Sequence, residues 1–423
     1  MKSPHRTVAL IVVVTGGLAF VVLAAVLIPW HPVPGGPVQP VPAARVFTEA
    51  QLARFDGFSD RARLLGWSSL AVSLLVASLL GFTRLGRRLM DALRGPWWVR
   101  VPVGALVVLL AGTLATLPLR LVFRQQLLDY DLTRQSVGGF LRDVAVSFAV
   151  AWVVTSVVLL VLVGCSRRWT RAWPAVAGGL LAWLLMVGSF VYPVLVEPLF
   201  NSFEPLPDGP LRAGIFQLAA QEDVEIDDVL VADASRRTTT LNAYVSGFGD
   251  TRRVVVYDNL VTTLPEAQTL SVVAHELAHA HHDDVLTGSV IGSVGAFASV
   301  GLLGLLVGVG GGRRRDEDAD GPPVLSITPG GGLVAAVPLV LALSAWGTLL
   351  ASPVENTISR QIETRADVDA LETTHDPDAF IAMQRQLALR GLGDPTPPAW
   401  SQFWFGSHPT SLERVAIAER LGR

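Results

Sequence analysis

Seven apolar runs, each long enough to cross about 30 Å of hydrocarbon as a helix, constrain this chain more than any other feature. They occupy residues 8–29, 64–82, 101–119, 144–165, 173–196, 285–307 and 333–350. Backbone that enters lipid must satisfy its own N–H and C=O groups, which restricts runs of this kind to helices. The expected fold class is therefore mainly α: a polytopic helical membrane protein of seven spans, with a small α+β domain where the chain turns polar. Composition agrees, with 51% hydrophobic and 16% charged residues against about a quarter charged in soluble domains. Trp30, Trp67, Trp97, Trp98 and Trp173 fall near run ends, where amphipathic rings anchor at the interface. The first run is long, lacks an A-x-A cleavage site and precedes six more, so it is expected to stay as a span. A net charge of −3 without a basic patch gives no basis for a nucleic-acid partner. The single cysteine, Cys165, leaves no disulfide framework and no Cys-type metal cluster.

Two stretches break the apolar pattern. In the first, DDVLVAD, TTTLNAYVS and RRVVVYD read as strands, with Gly247 and Gly249 at the last turn. LPDGPLRAGIFQLAAQE and LPEAQTLSVVAHELAHAH read as helices opened by proline-containing start signals. The chain is thus expected to divide into a five-span membrane domain (1–196), a polar insertion (197–284), a transmembrane hairpin (285–350) and a second polar part (351–423). GGGRRRDEDADGPP, residues 310–323, reads as a flexible charged loop between spans six and seven.

The second helix of the insertion holds His275-Glu276-Leu277-Ala278-His279. Residues four apart share a helix face, so both imidazoles can reach one ion. Glu276, one position round, stands beside that ion and can take a proton from an attacking water. Two imidazoles and a carboxylate suit zinc, with a fourth position left open. His281, His282, Asp283 and Asp284 follow at once and are expected to form a solvated junction with the membrane. A third ligand must come from elsewhere. Spans six and seven return the chain to the same membrane face at about residue 351, where Glu355, Glu363, Asp367, Asp369 and Glu372 are available. Glu363 and Asp367 share a face. That spacing allows Glu363 on the metal and Asp367 on the far N–H of a ligand imidazole; a helix salt-bridged through Arg360 and Arg365 is the plainer alternative.

FNSFEPLPDGPL, LNAYVSGFGDTRRVVVYDNLVTTL, VVAHELAH, ENTISRQIETRADVDAL and SHPTSLERV resemble, in order, the motifs of the type-1 CAAX prenyl proteases, seven-span membrane zinc metallopeptidases of the gluzincin group. The resemblance covers roughly residues 199–414 by motif and the whole chain by its spans. It implies a zincin-like peptidase domain and a zinc-dependent endopeptidase with one Zn2+ per chain, held by His275, His279 and Glu363. It further implies Glu276 as general base, Asp367 on a ligand histidine, and His408 as an oxyanion donor. Asn242 and Ala243, on a strand lying along the substrate, and Arg414 are the implied substrate-binding residues. The implied partners are a peptide or membrane-protein substrate and the lipid bilayer. Thr410 departs from the pattern, which often has a second proline after SHP. The arginine-dominated composition suits a bacterium of GC-rich genome, for which the family name describes ancestry and not substrate.

Arginines concentrate in segments on the N-terminal side, at 84, 87, 88, 94, 100, 167, 168 and 171. The positive-inside rule then places the catalytic insertion outside the cytoplasm, the reverse of the eukaryotic members of the resembled family. Two rival functions differ in kind. A heat-shock-type quality-control protease shares H-E-x-x-H but has fewer spans. A seven-span transporter or receptor with an incidental metal site needs polar residues within its spans, and spans one to five nearly lack them.

Overall fold

The structure, a computed structural model, describes residues 5–307 and 333–422; the charged loop expected at 310–323 lies outside them. The N-terminal part comprises helices α1 (Arg6–Leu27), α2 (Ala43–Val46), α3 (Glu49–Phe82), α4 (Arg84–Ala92), α5 (Trp97–Asp129), α6 (Val137–Arg168) and α7 (Trp173–Leu195). Strands β1 (Phe203–Pro205), β2 (Asp228–Ala232), β3 (Ala243–Ser246) and β4 (Arg253–Tyr257) follow, with helices α8 (Pro210–Gln221), α9 (Asp258–Thr263) and α10 (Glu266–His281). The chain continues with α11 (Asp284–Val307) and α12 (Val337–Thr374), and ends with α13 (Pro377–Gly391), α14 (Ala399–Phe405) and α15 (Ser411–Leu421). Seven of these helices, α1, α3, α5, α6, α7, α11 and α12, are long and apolar enough to cross a membrane.

Several spanning helices extend well past their apolar runs. Helix α3 begins at Glu49, where Thr48 and Gln51 form a capping box that satisfies the first free N–H groups. Its polar overhang carries Phe55 and Phe58 into a cluster with Phe47, Leu132, Ala388, Leu412 and Val415. Residues grouped by sequence with the membrane domain therefore help to seat α13 and α15. Helix α12 runs 38 residues without a break, despite Pro353 in its interior. Proline offers no N–H to the carbonyl four residues back; Ser352 Oγ donates to that Leu349 carbonyl at 2.8 Å instead. Inside the bundle, small residues bring backbones close: a Cβ added at Gly16 of α1 would lie 3.0 Å from the Ala298 Cβ of α11.

The sheet has the order β1-β2-β4-β3, with β2 and β4 parallel and both outer pairs antiparallel. β1, three residues long, carries too little pattern to be read from the sequence. The β3–β4 turn depends on Gly247 at φ +96°, where a Cβ would fall 2.3 Å from the Thr251 carbonyl oxygen. Val229, Val254 and Val256 of the sheet pack with Val273 and Leu277 of α10, Val368 of α12, Phe380 of α13 and Ile417 of α15. The two polar stretches thus share one core, with α10 at its centre.

Candidate active site

Helix α10 is buried on most of its surface, through Val272, Val273, Ala274, Leu277 and Ala278. That burial leaves it little freedom to rotate and fixes where its two histidines point. His275 Nε2 and His279 Nε2 stand 3.2 Å apart. Helix α12 crosses alongside and brings Glu363 to them, with Oε2 3.3 Å from His275 Nε2 and Oε1 3.7 Å from His279 Nε2. Ligands about 2.0–2.1 Å from a tetrahedral ion lie about 3.3–3.4 Å from one another, and these separations straddle that value. Glu363 Oε2 is buried and accepts no hydrogen bond, which a cation between the three side chains would remedy. The donor set therefore fits a metal ion.

Each imidazole is held from behind. His275 Nδ1 lies 3.0 Å from Asp367 Oδ1, and Arg414 Nε donates to Asp367 Oδ2 at 2.7 Å. His279 Nδ1 lies 2.9 Å from Asp284 Oδ2, and Asp284 Oδ1 is paired with Arg365. Both histidines consequently aim Nε2 at the common point. The Asp284 contact corrects the expectation of a solvated junction at one of its four residues, while His281 and Asp283 are exposed as expected. Asp284 is 8% exposed, His282 Nε2 sits 2.7 Å from Asp369 Oδ2, and His281 Nδ1 sits 2.6 Å from the Glu222 carbonyl oxygen. Asp283, in the left-handed conformation at φ +50°, turns α10 directly into α11, so Asp284 becomes the first residue of a span and folds back under His279. Asp284 and Arg365 were the residues that sequence reasoning missed; an acid opening the span that immediately follows H-E-x-x-H was the available signal. Of the other acids considered on α12, Glu355 and Glu372 are exposed and Asp369 is taken by His282.

Burial works to lower the His275 pKa, but the Asp367 and Glu363 carboxylates close beside it outweigh that and raise the imidazole to about 9 in the metal-free protein. Burial pushes the Glu276 carboxyl up, against the pull of His275 and His279. His408 Nε2 reaches to 3.3 Å from Glu363 Oε1, and its Nδ1 lies 2.8 Å from Ser407 Oγ. Thr410, the departure noted above, caps α15 by accepting from the Glu413 N–H, while its own N–H donates to the Glu413 carboxylate; a proline there would supply neither bond. Arg414 is largely covered, its side chain 11% exposed, with Nη2 3.5 Å from Glu363 Oε2.

A cavity of about 910 Å³ opens onto these groups, and Asn242, Ala243 and the rest of β3 line one wall. β3 is an outer strand, bonded only to β4 within the sheet. Tyr257 N donates to the Asn242 carbonyl, so by antiparallel alternation the backbone groups of Ala243 and Val245 point to the free edge.

The profile of peptidase family M48 matches residues 205–421, just over half of the 423-residue chain. The chain belongs to peptidase family M48. The profile described as "CAAX prenyl protease N-terminal, five membrane helices" matches residues 60–202. The uncharacterized metalloprotease YhfN of Bacillus subtilis is 31% identical over 75% of this chain and 73% of its own length. A CAAX prenyl protease 1 homolog of Oryza sativa is 27% identical over 69% of the chain and 66% of its own length. The crystal structure of S. mikatae Ste24p superimposes with a TM-score of 0.77 over 97% of this chain and 99% of that one, at 18% identity, and so shares the fold. This M48 member is accordingly an integral, multi-pass membrane metallopeptidase. Its substrates are peptides or proteins, its surroundings are the lipid bilayer, and the relative in Bacillus is in keeping with a bacterial membrane. Family membership also disposes of the transporter or receptor reading.

Proposed function

We propose that this M48 member is a zinc-dependent endopeptidase that holds one Zn2+ through His275, His279 and Glu363 and cuts peptides laid along β3. The observation that carries the reading is the near-tetrahedral spacing of those three side chains in the wall of a cavity that also exposes a free strand edge. Two imidazoles with one carboxylate favour zinc over harder, all-oxygen cations. Bound zinc supplies Lewis acidity to the scissile carbonyl and makes the attacking water easier to deprotonate.

The chain's own residues do the rest. An extended substrate adds to the edge of β3 through the backbone groups of Ala243 and Val245, which sets its register beside His275 and His279. Glu276, half-buried in the cavity wall beside His275 and His279, takes the proton of the attacking water and returns it to the leaving amine. His408 donates a hydrogen bond to the developing oxyanion. Asp367 and Asp284 fix the two imidazole tautomers. Arg414 holds Asp367 in place through Nε, and it also lines the cavity that receives the peptide. Five spans ahead of the peptidase core weigh against the heat-shock-type alternative.

The test is the Glu276→Gln protein. It should retain one zinc by elemental analysis and lose on the order of 10²- to 10⁴-fold in hydrolysis of a quenched fluorescent peptide. Hydrolysis at the wild-type rate would refute the assignment.

A further inference from the structure

Glu197 lies just beyond the C-terminal end of α7 and lines the same cavity as His275, Glu276 and His279. A carboxylate in that position faces the negative end of the helix dipole, which favours cations there. It is also half-buried, so part of its hydration is lost, and a charged partner would offset that cost. Among the described residues no arginine, lysine or histidine nitrogen forms an ion pair with it. Arg253 of β4 acts on it only from longer range. Its contacts are two long hydrogen bonds, from Tyr244 Oη and Ser246 Oγ, both 3.4 Å from Oε2. An ionised carboxylate offers about four acceptor positions, so most of its capacity remains open toward the cavity.

Tyr244 and Ser246 alternate with Ala243 and Val245 along β3 and therefore share the face of the strand that Glu197 overlooks. Ala243 and Val245 face the opposite way, into the core with α10. A peptide added to this edge repeats the pleat, sending every second side chain to the face where Glu197 waits.

We propose that Glu197 is an acidic specificity subsite that receives a lysine or arginine side chain of the peptide bound along β3. This rests on the peptidase reading above. A cationic side chain supplies the missing counter-charge and donates charge-assisted hydrogen bonds to the open carboxylate oxygens.

The experiment uses the full chain in proteoliposomes and a set of quenched fluorescent peptides. Each peptide carries lysine or the isosteric norleucine at one position flanking the scissile bond. Wild-type enzyme should prefer lysine at one position by roughly 10- to 100-fold in kcat/KM, the range expected of a hydrogen bond to a charged group. The lysine-to-norleucine ratio should fall to about one in Glu197→Gln, and Glu197→Arg should instead favour glutamate at that position. Absence of any lysine preference in the wild type overturns the proposal without recourse to a variant, as does a ratio unchanged in Glu197→Gln. Failure of the peptidase reading looks different: the wild type then cleaves neither peptide of any pair.

Discussion

Replacing Asp284 with alanine isolates what one buried acid contributes to metal retention. In the intact site its Oδ2 accepts from His279 Nδ1 at 2.9 Å while Oδ1 engages Arg365. The truncation removes the bond that fixes the His279 tautomer and leaves room for the ring to turn. Carboxylates behind metal-binding histidines are typically worth 10- to 100-fold in affinity or activity, or about 1.4–2.7 kcal/mol. Arg365 also loses its partner, but its side chain remains 20% exposed, so water offsets part of that loss and the expected effect stays within the range. Asp284→Asn preserves an acceptor for His279 and should lose less, about tenfold at most. Zinc dissociation constants from competition with a chromophoric chelator, together with kcat/KM at saturating zinc, measure both variants. Should Asp284→Ala bind zinc within twofold of wild type and turn over at the wild-type rate, the clamp on His279 has no functional weight.

The pH dependence of metal binding follows from His275. Its pKa is raised from 6.5 to about 9 in the metal-free protein, so the stability its protonated form contributes is complete below about pH 6.5 and is lost as the pH rises through about 9. Metal must displace that proton; zinc affinity should therefore climb by up to about tenfold per pH unit across this window and level off above it, and a flat profile in chelator competition would contradict the assignment. Gly247→Ala forces a Cβ against the Thr251 carbonyl at a positive φ and should cost about 1–3 kcal/mol, read as a lowered thermal midpoint with loss of the β3 edge. Trp400 and Phe403 of α14 are 48% and 50% exposed, and Trp400 packs on Trp67 at a 4.3 Å centroid distance near the start of a spanning run. Placed there, α14 sits at the lipid interface, and a Trp400→Ser/Phe403→Ser protein should show a several-fold higher KM for a lipid-anchored peptide than for its soluble counterpart. Equal changes for both peptides would rule out that placement.

The spans were legible because hydropathy over twenty residues leaves few alternatives, and H-E-x-x-H because helical spacing is local. The polar overhang of α3 was not: Phe55 and Phe58 find their cover only in distant segments, with Phe47, Leu132, Ala388, Leu412 and Val415. For the third donor, topology alone offered five acids, and the spacing and the motif resemblance singled out Glu363. Which of them approach the histidines depends on how α12 crosses α10, a tertiary fact. Asp284 was misjudged for a related reason. Beside two histidines and another acid it read as part of a polar run, and only the left-handed turn at Asp283 takes it out of water.

The continuity of α12 has a mechanical consequence. Its apolar run ends near Leu350 and the same unbroken helix carries Glu363, 13 residues and about 20 Å farther along at 1.5 Å per residue. Only Pro353 interrupts the backbone hydrogen bonding between the two, and the helix continues through it. Glu363 consequently stands at a set distance along the rod from the end of the apolar run, and with it the point where His275 and His279 converge. One residue inserted between Pro353 and Ile362 would swing Glu363 about 100° around the rod, out of reach of His275 and His279, while leaving the span itself intact.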